Sequence, residues 1–127
     1  MSRALIDTSV VIALGHSAPL ELPDEAAISI VTLCELHHGV LISEERRLPQ
    51  RLATLALVER RFDVLPADEK IAPHYGRIVA HARRVRNRRL AAADALIAAT
   101  AAAHDLPLYT LDRDFEGIDG VQVVFAG

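Results

Sequence analysis

At 127 residues, 51% hydrophobic and 24% charged, the chain has the size of one domain and enough apolar material for a core, which excludes a disordered polyelectrolyte. Cys34 is the only cysteine, so neither an intramolecular disulfide nor a zinc site built on several thiolates is available. Residues 1–5 lack the apolar stretch of a signal peptide, and no run approaches the roughly 18 apolar residues of a membrane span, so a cytoplasmic protein with no membrane partner is expected.

Ala4-Leu5-Ile6 is a short apolar run ending at Asp7 and reads as a buried strand. Residues 10–14 read as a short helix, and residues 16–25, with Pro19 and Pro23, as a loop. Residues 27–30 form a weaker strand or an extended entry to a helix over 31–42, whose apolar positions are Val31, Leu33, Leu36, Val40 and Leu41. Pro49 breaks the helical pattern and residues 51–61 resume it. Residues 62–65 suggest a third strand, stopped by Pro66. A helix over 68–84 accommodates Pro73 only in its first turn. An alanine-rich helix over 90–104 and strands over 106–110 and 121–125 complete the chain. Aromatics make up only 4% and Trp is absent, so Ala, Val, Ile and Leu must build the core. Strands alternating with helices predict a single domain over 1–127: a three-layer α/β/α sandwich with a mainly parallel central sheet.

The formal net charge of −3 argues weakly against a nucleic-acid partner. The charges are segregated, however. Arg83, Arg84, Arg86, Arg88 and Arg89 fall within seven residues, and Lys70 is the only lysine. The arginine fork suits bidentate contact with phosphate, although such a run also fits a solvated helix end.

Asp7, Glu35, Asp94 and the pair Asp112 and Asp114 stand out. Each has a local explanation. Asp7 precedes a helix and can cap it. Thr32-Leu33-Cys34-Glu35 matches a capping box, which would engage Glu35 locally. Asp112 and Asp114 suit a turn. Asp94 lies where nearly every neighbour is apolar or tiny, and a buried carboxylate is costly unless paired or bound to a cation. The helix dipole offers it a competing account as a first-turn acid.

The joint pattern says more. In an open α/β sheet the ligand site lies beyond the carboxyl ends of the strands. Asp7 and Asp112 both follow a strand, while Glu35 and Asp94 sit early in helices that enter from that edge. Carboxylates gathered there repel one another unless protonated or neutralised by a cation. All-oxygen ligands select Mg²⁺ or Mn²⁺, and such an ion activates water against a phosphoryl group. The implied chemistry is phosphodiester hydrolysis.

On these residues the chain resembles the PIN-domain family. Leu5-Ile6-Asp7-Thr8-Ser9-Val10-Val11 is similar to that family's opening motif. Thr32-Leu33-Cys34-Glu35-Leu36 with Gly39 resembles the second, Ala93-Asp94-Ala95-Leu96-Ile97-Ala98-Ala99-Thr100-Ala101 the third, and Leu108-Tyr109-Thr110-Leu111-Asp112-Arg113-Asp114-Phe115 the fourth. The likeness runs from about residue 4 to 125 and rests on four motifs in order.

The resemblance implies a metal-dependent endoribonuclease acting on RNA. It also implies the toxin half of a VapBC toxin–antitoxin pair, a VapB-like antitoxin as partner, and a homodimer. It makes Asp7, Glu35, Asp94 and Asp112 catalytic acids and, with Asp114, ligands of Mg²⁺ or Mn²⁺. Ser9 and Thr110 would orient those carboxylates or their waters. Arg83, Arg84, Arg86, Arg88 and Arg89 would form an RNA-binding rim. The chain departs from the pattern in two places: Arg86-Asn87-Arg88-Arg89 precedes the third motif, where a Gly and few charges are usual, and Asp112 stands where Asn is common.

Other readings fit less well. His37 and His38 are adjacent on a helix and point apart, so they do not share an ion. His74, His81 and His104 read as partly exposed helix residues, and Cys34 as a small core hydrophobe. A haloacid-dehalogenase-like phosphatase needs Asp-x-Asp after the first strand, but residue 9 is Ser. A phosphoreceiver domain needs a lysine near the last strands, but Lys70 is elsewhere. A PIN-like module that grips RNA or protein without cutting typically lacks one or more acids, and all are present here.

Overall fold

The computed structural model describes residues 2–16 and 19–127; Met1, and Ser17 and Ala18 of the expected loop, lie outside the described residues. The order is β1 (Arg3–Ile6), α1 (Thr8–Leu14), β2 (Glu25–Ser29), α2 (Ile30–Leu41), α3 (Leu48–Arg61), β3 (Asp63–Leu65), α4 (Ala72–Arg86), α5 (Ala92–Ala103), β4 (Leu108–Thr110) and β5 (Val123–Phe125). Short 3₁₀ turns precede α3 and α4 and follow β4. The five described strands make one sheet in the order β3-β2-β1-β4-β5, with every pairing parallel.

The sheet's two faces follow from the period-two alternation of strand side chains. Leu5 and Ala27 point into the core beneath α4 and α5, with Ile78, Ile97, Ala98, Leu108 and Phe115. Their neighbours Ile6 and Ile28 point the opposite way, into a core with Val10, Val11 and Val58 of α1 and α3. Two cores on one sheet are the three expected layers. In α5, Ala95, Ile97, Ala98, Ala99 and Ala101 are all buried. These small side chains bring the helix backbone close to the sheet and carry Asp94 with it.

Local chemistry explains where the elements begin. Asp7 caps α1, so the helix opens at Thr8, two residues before the first fully apolar position. Pro49 opens α3 instead of interrupting a helix, because in the first turn its missing N–H breaks no bond. Pro73 occupies the same place in α4. Asn87, at φ 47°, ends α4 in the left-handed region that Asn tolerates. Between β4 and β5 the chain turns through Gly117 at φ 73°, with the Arg86 guanidinium lying over it, and a side chain there would be both strained and in collision.

The strand order places the site. From β1 the chain steps outward to β2 and β3, then returns to the other side for β4 and β5. The switch point is therefore the crevice between the carboxyl ends of β1 and β4, where doubly wound sheets bind ligands. Asp7 follows β1 directly, and Asp112 stands two residues beyond β4. Among the described residues no helix is long and apolar enough to cross a membrane.

Candidate active site

Asp7 is 3% exposed and held from three sides. Ser9 Oγ donates to Oδ1 at 2.6 Å, the Val10 N–H donates to the same oxygen at 3.2 Å, and Thr110 Oγ1 donates to Oδ2 at 2.8 Å. The two hydroxyls also accept, Ser9 from across the crevice and Thr110 from its own segment. Leu111 N–H donates to Ser9 Oγ at 3.0 Å and Asp112 N–H to Thr110 Oγ1 at 2.9 Å. Ser9 and Thr110 thus tie the β1–α1 junction to the end of β4, with the Asp7 carboxylate between them. Burial pushes the Asp7 pKa up; the three hydrogen bonds oppose this, and the charge of Asp112 adds to the rise.

Asp94, Asp112 and Asp114 form the tightest group: one carboxylate oxygen of each lies within 4.8 Å of the others. Asp94 projects from the first turn of α5. Asp112 caps the 3₁₀ turn Arg113–Phe115, its Oδ1 accepting from the Asp114 N–H at 2.9 Å. Here a turn cap and a crevice carboxylate are the same residue. The Asp94 pKa is raised to about 6, first by burial and then by the charges of Asp112, Glu35, Asp114 and Asp7 in that order. A helix N-terminus ordinarily favours a carboxylate; here burial and four acids outweigh it. The list of neighbours that perturb Asp94 is the list of acids the sequence singled out.

Glu35 stands outside the tightest group. Its position does not come from a capping box: Ser29 caps α2, its Oγ accepting from the Val31 N–H at 3.1 Å. Thr32 is an internal, fully buried helix residue. Glu35 Oε1 instead accepts from Thr8 Oγ1 at 2.7 Å, and the same hydroxyl bonds Thr32 Oγ1 at 3.1 Å. Thr8 was not among the expected site residues. Its signal was a hydroxyl directly after Asp7, on the helix that Asp7 starts.

The arginine run divides. Arg88 approaches Asp114, with a guanidinium nitrogen 3.5 Å from the carboxylate and a hydrogen bond to the backbone carbonyl. Arg86 packs over Gly117 of the following loop. Arg83, Arg84 and Arg89 are exposed, and no hydrogen bond or ion pair engages their side chains among the described residues. Cys34 is exposed on α2 and not part of the core, because it lies on the solvent face beside Glu35. His37 lies 3.8 Å from Glu59, His38 and His104 are exposed, and His74 and His81 are partly exposed on α4.

The donor set is therefore all oxygen: three carboxylates in mutual reach, with Asp7 and Glu35 adding charge from two further segments. Among the described residues, Arg88 is the one cation of this chain within ion-pair distance of these acids. Such a set fits a hard divalent cation.

Comparison with known proteins agrees with this geometry. The PIN domain family model matches residues 4–121. Ribonuclease VapC5 of Mycobacterium tuberculosis is 39% identical, with 97% of this chain and 93% of that protein aligned. Ribonuclease VapC4 of the same organism is 38% identical over 96% of this chain and 95% of that protein. A crystal structure of VapBC-5, a member of the VapBC family of toxin–antitoxin systems from Mycobacterium tuberculosis, superposes with a TM-score of 0.83 at 35% identity and covers 98% of both chains. By family model, sequence and fold, this chain belongs to the PIN domain family.

Proposed function

We propose that this chain is a metal-dependent endoribonuclease that hydrolyses RNA phosphodiester bonds as the toxin of a type II toxin–antitoxin pair. The observation that carries the reading is the crevice at the β1–β4 switch point, where Asp94, Asp112 and Asp114 approach within 4.8 Å under the charge of Asp7 and Glu35. The relatives named as VapC ribonucleases support the activity and the toxin role. The likeness to VapBC-5 supports a VapB-like antitoxin and a homodimer.

Asp94, Asp112 and Asp114, with Asp7 and Glu35, would hold Mg²⁺ or Mn²⁺. When bound, such an ion supplies an activated water and stabilises charge on the phosphoryl oxygens. The chain's own residues prepare the place. Burial and four neighbouring acids raise the Asp94 pKa to about 6, and a bound cation would offset that charge and favour the carboxylate. Ser9 and Thr110 hold Asp7 in one orientation, which limits rearrangement as charge develops. Thr8 fixes one oxygen of Glu35, and the other has no protein partner among the described residues and can orient water.

The test is cleavage of total cellular RNA by the purified chain with Mg²⁺ or Mn²⁺, with EDTA, and with Asp94→Asn. Discrete cuts that disappear with EDTA and fall about 1,000-fold or more in the variant are expected. Cuts that persist in Asp94→Asn would place the chemistry elsewhere. RNA binding without cleavage under either metal would favour the binding-module reading.

A further inference from the structure

Beside the acids lies a cavity of about 360 Å³. Thr8 and Glu35 line it, so it opens directly off the crevice. Its other wall comes from the start of α3 and the turn before it, where Arg47, Gln50 and Arg51 fall at helical spacing on one face. Ile12 of α1 and Leu36 of α2 line it too, and Ile12 is 49% exposed, so part of the wall is apolar.

We infer that this cavity is the specificity pocket of the nuclease, receiving one unpaired ribonucleotide next to the scissile phosphate. The inference rests on the nuclease reading above. The volume lies in the range of about 300–1,000 Å³ typical of small-ligand sites and suits one nucleotide. The lining matches how single-stranded RNA is read: splayed bases stack on planar groups and hydrogen-bond through their edges.

Arg51 supplies the plane. Its Nη1 donates to the Gly39 carbonyl at 2.9 Å, and a side chain at position 39 would meet that nitrogen at 2.9 Å, so glycine lets the guanidinium dock there. Gln50 supplies the edge reader, its amide exposed and 3.2 Å from a ring nitrogen of His16. Arg47 supplies charge for the flanking phosphate; it is exposed and forms no ion pair among the described residues. A phosphodiester chain crossing five acids needs cations beside them. Arg88 stands at Asp114, and Arg47 and Arg51 share the cavity with Glu35. The apolar part of the lining, Ile12 and Leu36, would also suit a protein segment; the two arginines and the Gln50 amide beside Glu35 favour the nucleotide, and the test separates the two occupants.

The test compares the wild type, Gln50→Ala and Arg47→Ala on a random-sequence RNA library with Mn²⁺, sequencing the cut ends. Both positions are exposed, so the variants keep the fold. The wild type shows a base preference at one position beside the cut. Gln50→Ala weakens that preference about tenfold and leaves other positions unchanged, while Arg47→Ala raises KM about tenfold across all sequences. A wild type without base preference beside the cut overturns the inference. So does an unchanged profile in Gln50→Ala, or variants altered only in inhibition by the antitoxin, which would assign the cavity to protein. A separate arm needs no activity: the four ribonucleoside 5′-monophosphates and inorganic phosphate are titrated into metal-free Asp94→Asn and followed by NMR. The Gln50 side-chain amide shifts with at least one nucleotide and not with phosphate. A wild type that cuts nothing defeats the nuclease reading, and the NMR arm still decides whether the cavity takes a nucleotide.

Discussion

Asp94 concentrates the electrostatics of the site, and its response to pH has a definite sign. Its folded pKa of about 6 exceeds the ordinary value of 3.8, so between those limits the folded chain binds more protons than the unfolded one. The stabilisation this provides is complete below the ordinary value and is lost as pH rises through about 6. The metal-free wild type is thus less stable at about pH 7.5 than at about pH 4 on account of this group, by at most about 3 kcal/mol and, after solvent screening, nearer about 1. Thermal melts in EDTA should show Asp94→Asn more stable than the wild type at neutral pH, with the gap closing in acid. Mn²⁺ should then raise the wild-type Tm and leave the variant unmoved. A variant less stable than the wild type at neutral pH would contradict the charge crowding.

Thr110 makes a different case at the same scale. It is fully buried, donates to Asp7 and accepts from the Asp112 N–H. Thr110→Val keeps the shape and strands that N–H. Urea unfolding should show a loss of about 1–3 kcal/mol. Calorimetric titration of Mn²⁺ should show affinity about 10–100-fold weaker. Unchanged metal affinity would reduce Thr110 to a structural role.

Among the elements, α4 and α5 divide stability from function. Gly76 lies in the exposed interior of α4, and a Cβ built there meets nothing within 4 Å. Gly76→Ala should stabilise the chain by about 0.5–1 kcal/mol through helix propensity and leave cleavage unchanged. A lower Tm would mean that α4 is strained in a way its contacts do not reveal. The alanine surface of α5 offers no such freedom. Ala95, Ala98 and Ala99 are fully buried, so a larger side chain there would push the helix, and Asp94 with it, away from β1 and β4.

Over the whole molecule, a net charge of −3 and an acidic crevice oppose RNA, and the basic segment at the end of α4 is proposed to offset part of that repulsion. Arg83, Arg84 and Arg89 are exposed and unengaged among the described residues, unlike Arg86 and Arg88. Replacing those three by Ala should raise KM about tenfold with kcat retained, and should reduce the salt dependence of RNA binding. An unchanged salt slope would show that this segment faces away from the substrate.

The strand–helix alternation, the parallel sheet and the acids that gather at the crevice could be read from the chain alone. Apolar runs ending in Asp7 and Thr110 declare both a strand and its carboxyl edge, and an Asp among alanines has few structural uses. What lay beyond the sequence was contact between distant segments. Thr32-Leu33-Cys34-Glu35 has the form of a capping box, but the helix is capped by Ser29, and Glu35 is held by Thr8, 27 residues away. Cys34 has the local surroundings of a core residue, yet the rotation of α2 leaves it exposed. Thr110 reaches Asp7 across 103 residues, and Arg47 and Glu35 line one cavity only because α3 folds back beside α2. Period and composition act over a few residues and so determine elements and their edges. Which side chains meet across the crevice depends on helix rotation and sheet order, which only the packed structure decides.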